Sequence, residues 1–264
     1  MLGAIAGDIA GSRFEFANYK AKDFDLYAPG AFFTDDTVMT IAVAKAVLSC
    51  RGDYGGLGRA AVKYMREFGA RYPDAGYGGR FLGWLLADKP QPPYGSYGNG
   101  AAMRISPVGW AARSLPECSE MARLVTGVTH DHPDSFAAAE CVAACIFLAR
   151  GGADKAELRR YVETHYRTLD FTIDGLRPTY GFSSSCRDSV PPALEAFFES
   201  DCFEDAVRTA VSLGGDSDTI AAIAGSIAEP YYGIPEPLRV YARSRLPGDL
   251  LCVLDEFEET FCRI

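Results

Sequence analysis

Glycine recurs at every fourth residue, Gly3, Gly7 and Gly11, in the opening run LGAIAGDIAG, and near the other end LGGDSDTIAAIAGSIA carries Ala221, Ala222, Ala224, Gly225 and Ala228. Residues four apart stack on one face of a helix. Glycine costs a helix interior about 1 kcal/mol relative to alanine, so a helix that uses three is expected where a second backbone comes close. The run from Asp36 is similar, with Val38, Ile41, Val43 and Val47 added. These three segments are expected to form a tight central layer, surrounded by longer and more amphipathic helices.

Helical periodicity continues nearly everywhere, and the two-residue alternation of half-buried strands is almost absent. The chain is read as all-α. Helices are expected over residues 2–11, 36–50, 57–68, 79–87, 100–113, 116–127, 133–150, 155–168, 189–199, 202–213, 216–228, 235–244 and 248–261. Residues 88–98 and 170–187 read as pocket loops, and no linker divides the sequence, so residues 1–264 are expected to form one domain. With 48% hydrophobic and 23% charged residues, a substantial core is available. The net charge of -9 is spread along the chain and argues against nucleic acid or anionic lipid as a partner. The N-terminal run has no basic leader region, and no apolar run approaches the roughly 20 residues that span a bilayer; no membrane association is expected. Eight cysteines without a C-x-x-C pair read as buried, reduced thiols, Cys141 and Cys145 as core packing, and the setting as cytoplasmic. A monomer is the default expectation.

Two acidic motifs carry the chemistry: Thr34, Asp35 and Asp36 before one small-residue helix, and Asp216, Ser217, Asp218 and Thr219 at the mouth of another. Helix N-caps use such residues. Two carboxylates plus a hydroxyl overfill a cap, however, and a divalent cation relieves their repulsion, because Mg²⁺ and Ca²⁺ favour carboxylate, hydroxyl and water oxygens. If the motifs meet, they can hold two ions about 3.5–4 Å apart. His130, His132 and His165 are the only histidines, which disfavours a His-rich zinc or di-iron centre.

Taken in order, GAIAGDIAGSRFEF, FFTDDTVMTIAVA, YGNGAAMRISPVG, THDHPDSFAAAE, DSVPPALEAF and LGGDSDTIAAIAG make the chain resemble the ADP-ribosylglycohydrolase family, the relatives of dinitrogenase-reductase-activating glycohydrolase. The resemblance runs from Leu2 to about Pro235. It implies a compact all-α orthogonal helical bundle with two magnesium ions, manganese being the alternative, at the base of an ADP-ribose cleft. It also implies hydrolysis of the bond between ADP-ribose and an acceptor. Thr34, Asp35 and Asp36 would ligate metal from one side and Asp216, Asp218 and Thr219 from the other, with Glu15 as the catalytic glutamate and Asp35 or Asp36 assisting.

That chemistry suits the residues: glycosidic cleavage builds oxocarbenium-like charge, which carboxylates stabilise while a base or metal activates water. Gly95, Ser96, Tyr97, Gly98, Asn99 and Gly100, before an expected helix, are read as a phosphate cradle of amides and helix N-terminus. Arg104 either lends charge to the phosphates or makes a structural salt bridge. Tyr97 is a candidate adenine stack, His130 a substrate contact, and Ser183 a ribose contact. The expected partner is an ADP-ribosylated protein or conjugate, arginine-linked protein first, with serine-linked or small-molecule conjugates behind it. A non-catalytic ADP-ribose reader is the alternative from another class. An isoprenoid-diphosphate enzyme fits less well, since Asp35-Asp36-Thr37-Val38-Met39 lacks the third aspartate of D-D-x-x-D. The chain is shorter than many animal members of the family, and the leaving group stays open.

Overall fold

Among residues 1–262, which the computed structural model describes, every regular element is a helix, apart from an isolated β-bridge between Gly98 and Ser185. In chain order these are α1 (Leu2–Gly11), α2 (Asp35–Cys50), α3 (Leu57–Arg71), α4 (Gly79–Leu86), α5 (Gly100–Met103), α6 (Ser106–Ala111), α7 (Leu115–Thr126), α8 (Pro133–Arg150), α9 (Lys155–His165), α10 (Ile173–Leu176), α11 (Cys186–Phe198), α12 (Phe203–Val211), α13 (Ser217–Tyr232), α14 (Glu236–Ser244) and α15 (Gly248–Phe261). A single 3-10 turn at Tyr54–Gly56 precedes α3. None of the described helices is long and apolar enough to cross a membrane.

The centre is the pair α1 and α13, whose mutual contact is the most extensive between any two helices. Its physical basis is the glycine stripe. A Cβ at Gly7 would lie 2.1 Å from the Ala221 carbonyl oxygen, and one at Gly3 would lie 2.3 Å from that of Gly225. The backbones touch where those side chains are missing. Every residue of α1 is buried, and α13 is buried from Ser217 to Glu229. Helix α2 packs on both and also on α3 and α15, while α11 and α12 pack on α13. Buried apolar residues from these helices form one continuous core.

Prolines account for the main departures from the expected elements. The helix expected over residues 100–113 breaks into α5 and α6 because Pro107 in the first turn of α6 has no N–H to give to Met103. The Met103 carbonyl instead accepts from Thr40 Oγ1 at 3.4 Å. Helix α11 starts at Cys186, capped by Ser185, and runs through Pro191 and Pro192. The carbonyls those prolines leave free are taken by side chains: Arg187 O by Arg167 Nη1 at 2.9 Å and Asp188 O by Tyr180 Oη at 3.1 Å. Within the expected loop 170–187 lies α10, capped by Thr172. All eight cysteines are free thiols; Cys118, Cys141, Cys145 and Cys186 are buried as expected, whereas Cys202 and Cys252 are exposed.

Candidate active site

Asp8 is the one carboxylate in the apolar α1, and it is fully buried. Its oxygens accept from the Thr34 amide at 3.0 Å, the Thr34 hydroxyl at 2.8 Å, the Thr37 amide at 3.1 Å and the Thr37 hydroxyl. Four donors tie the start of α2 to the centre of α1. Thr34 caps α2 by accepting from the Asp36 amide at 3.3 Å, so capping requires neither Asp35 nor Asp36. Asp36 is buried, with Oδ2 accepting from Thr219 Oγ1 at 3.0 Å and Oδ1 unpartnered. Asp35 is fixed through its backbone, its amide donating to Ala75 O at 2.8 Å.

The second motif is delivered by Gly214 and Gly215, both at positive φ (65° and 70°), where a side chain at Gly214 would meet Asn18 Oδ1 at 2.1 Å. Asn18 in turn accepts from the Gly215 amide at 2.8 Å. Asp216 stands at the N-cap of α13, yet its side chain caps nothing; Oδ2 accepts from Asn99 Nδ2 at 2.6 Å. Gly11 admits α13 so closely that a Cβ there would lie 2.5 Å from the Asp218 Cα. Asp218 Oδ1 is buried and unpartnered. Glu15 enters from the turn after α1, which Phe14 anchors by packing on Tyr19 and Phe24 at 5.1 and 5.0 Å. Ligand atoms of Glu15, Asp216 and Asp218 lie within 4.8 Å of one another.

So many acids in one buried volume oppose ionisation. Burial first, and the Asp218 charge second, push Asp8 and Glu15 up to about 7. The same two causes, in the same order, hold Asp35, Asp36 and Asp216 well above the ordinary carboxylate range. Asp218 is also raised by burial, against the lowering effect of hydrogen bonds with Asp216 and backbone amides. Protons or a cation must compensate this cluster.

The cluster floors a cleft of about 450 Å³ that is lined by Glu15, Asp35, Asp36, Asp216, Asp218 and Thr219. Ser96, Gly98, Asn99, Gly100, Arg104 and His130 line it too, whereas Thr34, Gly95, Tyr97 and Ser183 do not. Thr34 turns its hydroxyl to Asp8, and Ser183 donates to Asp188 Oδ2 at 2.8 Å while its neighbour Ser184 lines the cleft. Tyr97 is 60% exposed and packs its ring on His132. The cradle loop is clipped to the segment before α11 by Asn99 N to Ser184 O at 2.8 Å and Cys186 N to Tyr97 O at 2.9 Å. Gly95 donates its amide to Asp131. Among the described residues the Tyr97 and Gly100 amides have no partner in the chain. The salt bridge weighed for Arg104 is absent among the described residues: the guanidinium is fully buried, lies 5.4 Å from the Phe81 ring centroid and reaches Thr129 and His130.

The ADP-ribosylglycohydrolase family model matches residues 1–259. The chain belongs to the ADP-ribosylglycohydrolase family. It is 26% identical over 313 residues to ADP-ribosylhydrolase ARH3 of Mus musculus, covering 89% of this chain and 83% of that one. It is 28% identical over 258 residues to the ADP-ribosylarginine hydrolase Tri1 of Pseudomonas putida, covering 89% of this chain and 70% of that one. In fold it is similar to a solved chain described as an ADP-ribosylglycohydrolase-related protein complex, with a TM-score of 0.73, 24% identity and coverage of 98% of this chain and 96% of that one.

In this family member the sequence reading passes over Asp8, whose only signal is an acid inside an otherwise apolar helix. It also passes over the segment before and into α4, where Gly76, Gly78, Gly79, Arg80 and Phe81 form a wall of the cleft; three glycines within four residues are its signal. A hard divalent cation fits the donors. Asp36 Oδ1 and Asp218 Oδ1 are buried without partners, and the chemistry is all oxygen.

Proposed function

We propose that this chain is a magnesium-dependent hydrolase that cleaves ADP-ribose from an acceptor, ADP-ribosyl-arginine on protein first. What carries the reading is that two acidic motifs 180 residues apart in sequence meet at the floor of one cleft, with Glu15 beside Asp216 and Asp218. Capping does not explain them, since Thr34 caps α2 and the Asp216 side chain caps nothing. The likeness to a hydrolase named for ADP-ribosylarginine supports the acceptor.

In this reading Asp35, Asp36, Asp216, Asp218 and Thr219, which line the cleft, would hold two magnesium ions, with manganese the alternative, while Thr34 holds the first motif through Asp8. When bound, the ions supply Lewis acidity and an anchor for ribose hydroxyls. Glu15, open to the cleft beside Asp216 and Asp218, takes the proton of the attacking water. Asp35 and Asp36 stabilise the positive charge that develops on the ribose ring as the bond to the leaving nitrogen breaks. The loop from Ser96 to Gly100 orients the diphosphate, the free Gly100 amide being its donor at the cleft wall. Positioning of the ring against the water supplies part of the rate.

Release of free ADP-ribose from arginine-ADP-ribosylated protein, with Mg²⁺ or with EDTA, tests this. The wild type should release it only with Mg²⁺, and both Asp36→Ala and Asp216→Ala should abolish release. Absence of release while ADP-ribose still binds would remove arginine-linked protein as the substrate; absence of binding would sink the ADP-ribose reading.

A further inference from the structure

A proton inventory around His130 reaches beyond the acidic floor. Arg104 carries only donors. Its Nη2 lies 2.8 Å from Thr129 Oγ1 and 3.4 Å from His130 Nδ1, and Thr129 Oγ1 lies 2.7 Å from the same Nδ1. Because Arg104 Nη2 can only donate and faces Nδ1, a proton on Nδ1 would oppose it; with Nδ1 accepting, the Thr129 hydroxyl accepts from Arg104 and donates to Nδ1. Both groups that face Nδ1 are then donors. In a neutral imidazole with an accepting Nδ1, the proton resides on Nε2.

The ring's other edge points the opposite way. A Cβ at Gly100 would lie 3.2 Å from Nε2 and one at Gly98 would lie 3.5 Å from it, so the two glycines leave that nitrogen room at the cleft wall. Among the described residues Nε2 has no hydrogen-bond partner in the chain. Phe81 and Tyr94 hold the ring from its sides, at centroid distances of 6.3 and 6.2 Å.

We propose that Arg104, together with Thr129, is a positioning residue that fixes His130 as its Nε2–H tautomer and aims that N–H at an acceptor oxygen of the bound ligand. The identity of the ligand, an ADP-ribosyl group, rests on the function proposed above; the tautomer does not. The arrangement gives a use to a buried guanidinium that has no carboxylate partner among the described residues. It also keeps the imidazolium from competing, because burial and then the Arg104 charge hold His130 well below the ordinary histidine range.

Long-range ¹H–¹⁵N correlation spectra of the full chain labelled with ¹⁵N-histidine test this directly, with His132→Gln and His165→Gln assigning the three rings. The expected wild-type spectrum has a protonated Nε2 and an unprotonated Nδ1, and ADP-ribose shifts the Nε2–H resonance. A wild-type ring protonated on Nδ1 would overturn the proposal, whatever the variants do. Arg104→Met should show mixed tautomers and bind ADP-ribose about tenfold more weakly. Arg104→Lys, again a donor without an acceptor, should restore the Nε2–H form. A folded Arg104→Met that keeps the wild-type tautomer and affinity would remove Arg104 from the role; should that variant not fold, the wild-type spectrum and Arg104→Lys still decide. A wild type that has the expected tautomer but does not bind ADP-ribose would overturn the functional reading alone.

Discussion

Asp8 accepts four hydrogen bonds from Thr34 and Thr37, is fully buried and is not among the residues that line the cleft. Its work is to hold the first acidic motif in place. Asn at this position keeps the volume but sets an NH₂ either against the Thr34 hydroxyl or against the Thr34 and Thr37 amides and the Thr37 hydroxyl, all of which donate. Above pH 7, where Asp8 is ionised, Asp8→Asn should therefore lower stability by about 2–3 kcal/mol, the order expected for hydrogen bonds to a charged acceptor. It should also weaken Mg²⁺ binding measured by calorimetry, while Thr37→Val should do less of both. Glu15 is the opposite kind of residue, half-buried and open to the cleft. Glu15→Gln removes the proton acceptor without changing shape, and should slow release of ADP-ribose by about 10²–10⁴-fold while equilibrium binding of ADP-ribose stays within a few-fold. An equal loss of both would make Glu15 a binding residue instead.

At the level of helices, α1 and α13 run from a tight far end to the acidic mouth. A Cβ at Gly3 collides with Gly225 O, and one at Gly11 collides with the Asp218 backbone. Alanine normally improves a helix by about 0.5–1 kcal/mol over glycine, but here overpacking costs about 1–3 kcal/mol or more and wins. Gly3→Ala and Gly11→Ala should both melt several degrees lower, at about 2–4 °C per kcal/mol for a chain of this size. Only Gly11→Ala should also raise the Mg²⁺ concentration needed for half-maximal activity, because only it pushes on Asp218. Equal metal dependence in the two variants would show that the helix pair yields as one body.

For the whole molecule, the acid cluster couples stability to pH and to cations. Asp8 and Glu15 ionise near pH 4 when unfolded but near 7 in the folded chain. Between those values the unfolded state has lost protons that the folded state keeps, so stability falls as pH rises through the window. Without metal, the melting temperature should be highest near pH 4–5 as far as this cluster is concerned and should fall toward pH 7. If Mg²⁺ binds as proposed it takes the place of the missing protons, so it should raise the melting temperature markedly at pH 8 and little at pH 5. Scanning calorimetry with and without EDTA gives both curves; a Mg²⁺ effect independent of pH would separate metal binding from these carboxylates.

Much of this was legible in the residues. The fourfold glycine spacing announced a close helix pair, the periodicity announced an all-α chain, and the doubled acids announced a shared charge problem, because helix geometry is local and repeats every 3.6 residues. The positions of Pro107, Pro191 and Pro192 were visible too, but not their outcome. The carbonyls they free find partners far along the chain in both cases: Arg167 and Tyr180 take those inside α11, which continues, and Thr40 takes that of Met103, where α5 and α6 part. The roles of Asp8, Arg104 and Tyr97 were decided in three dimensions for the same reason. A carboxylate needs donors, a guanidinium a partner and an aromatic ring a neighbour, and burial and hydrogen bonding pair groups by distance in space, which spacing along the chain does not encode.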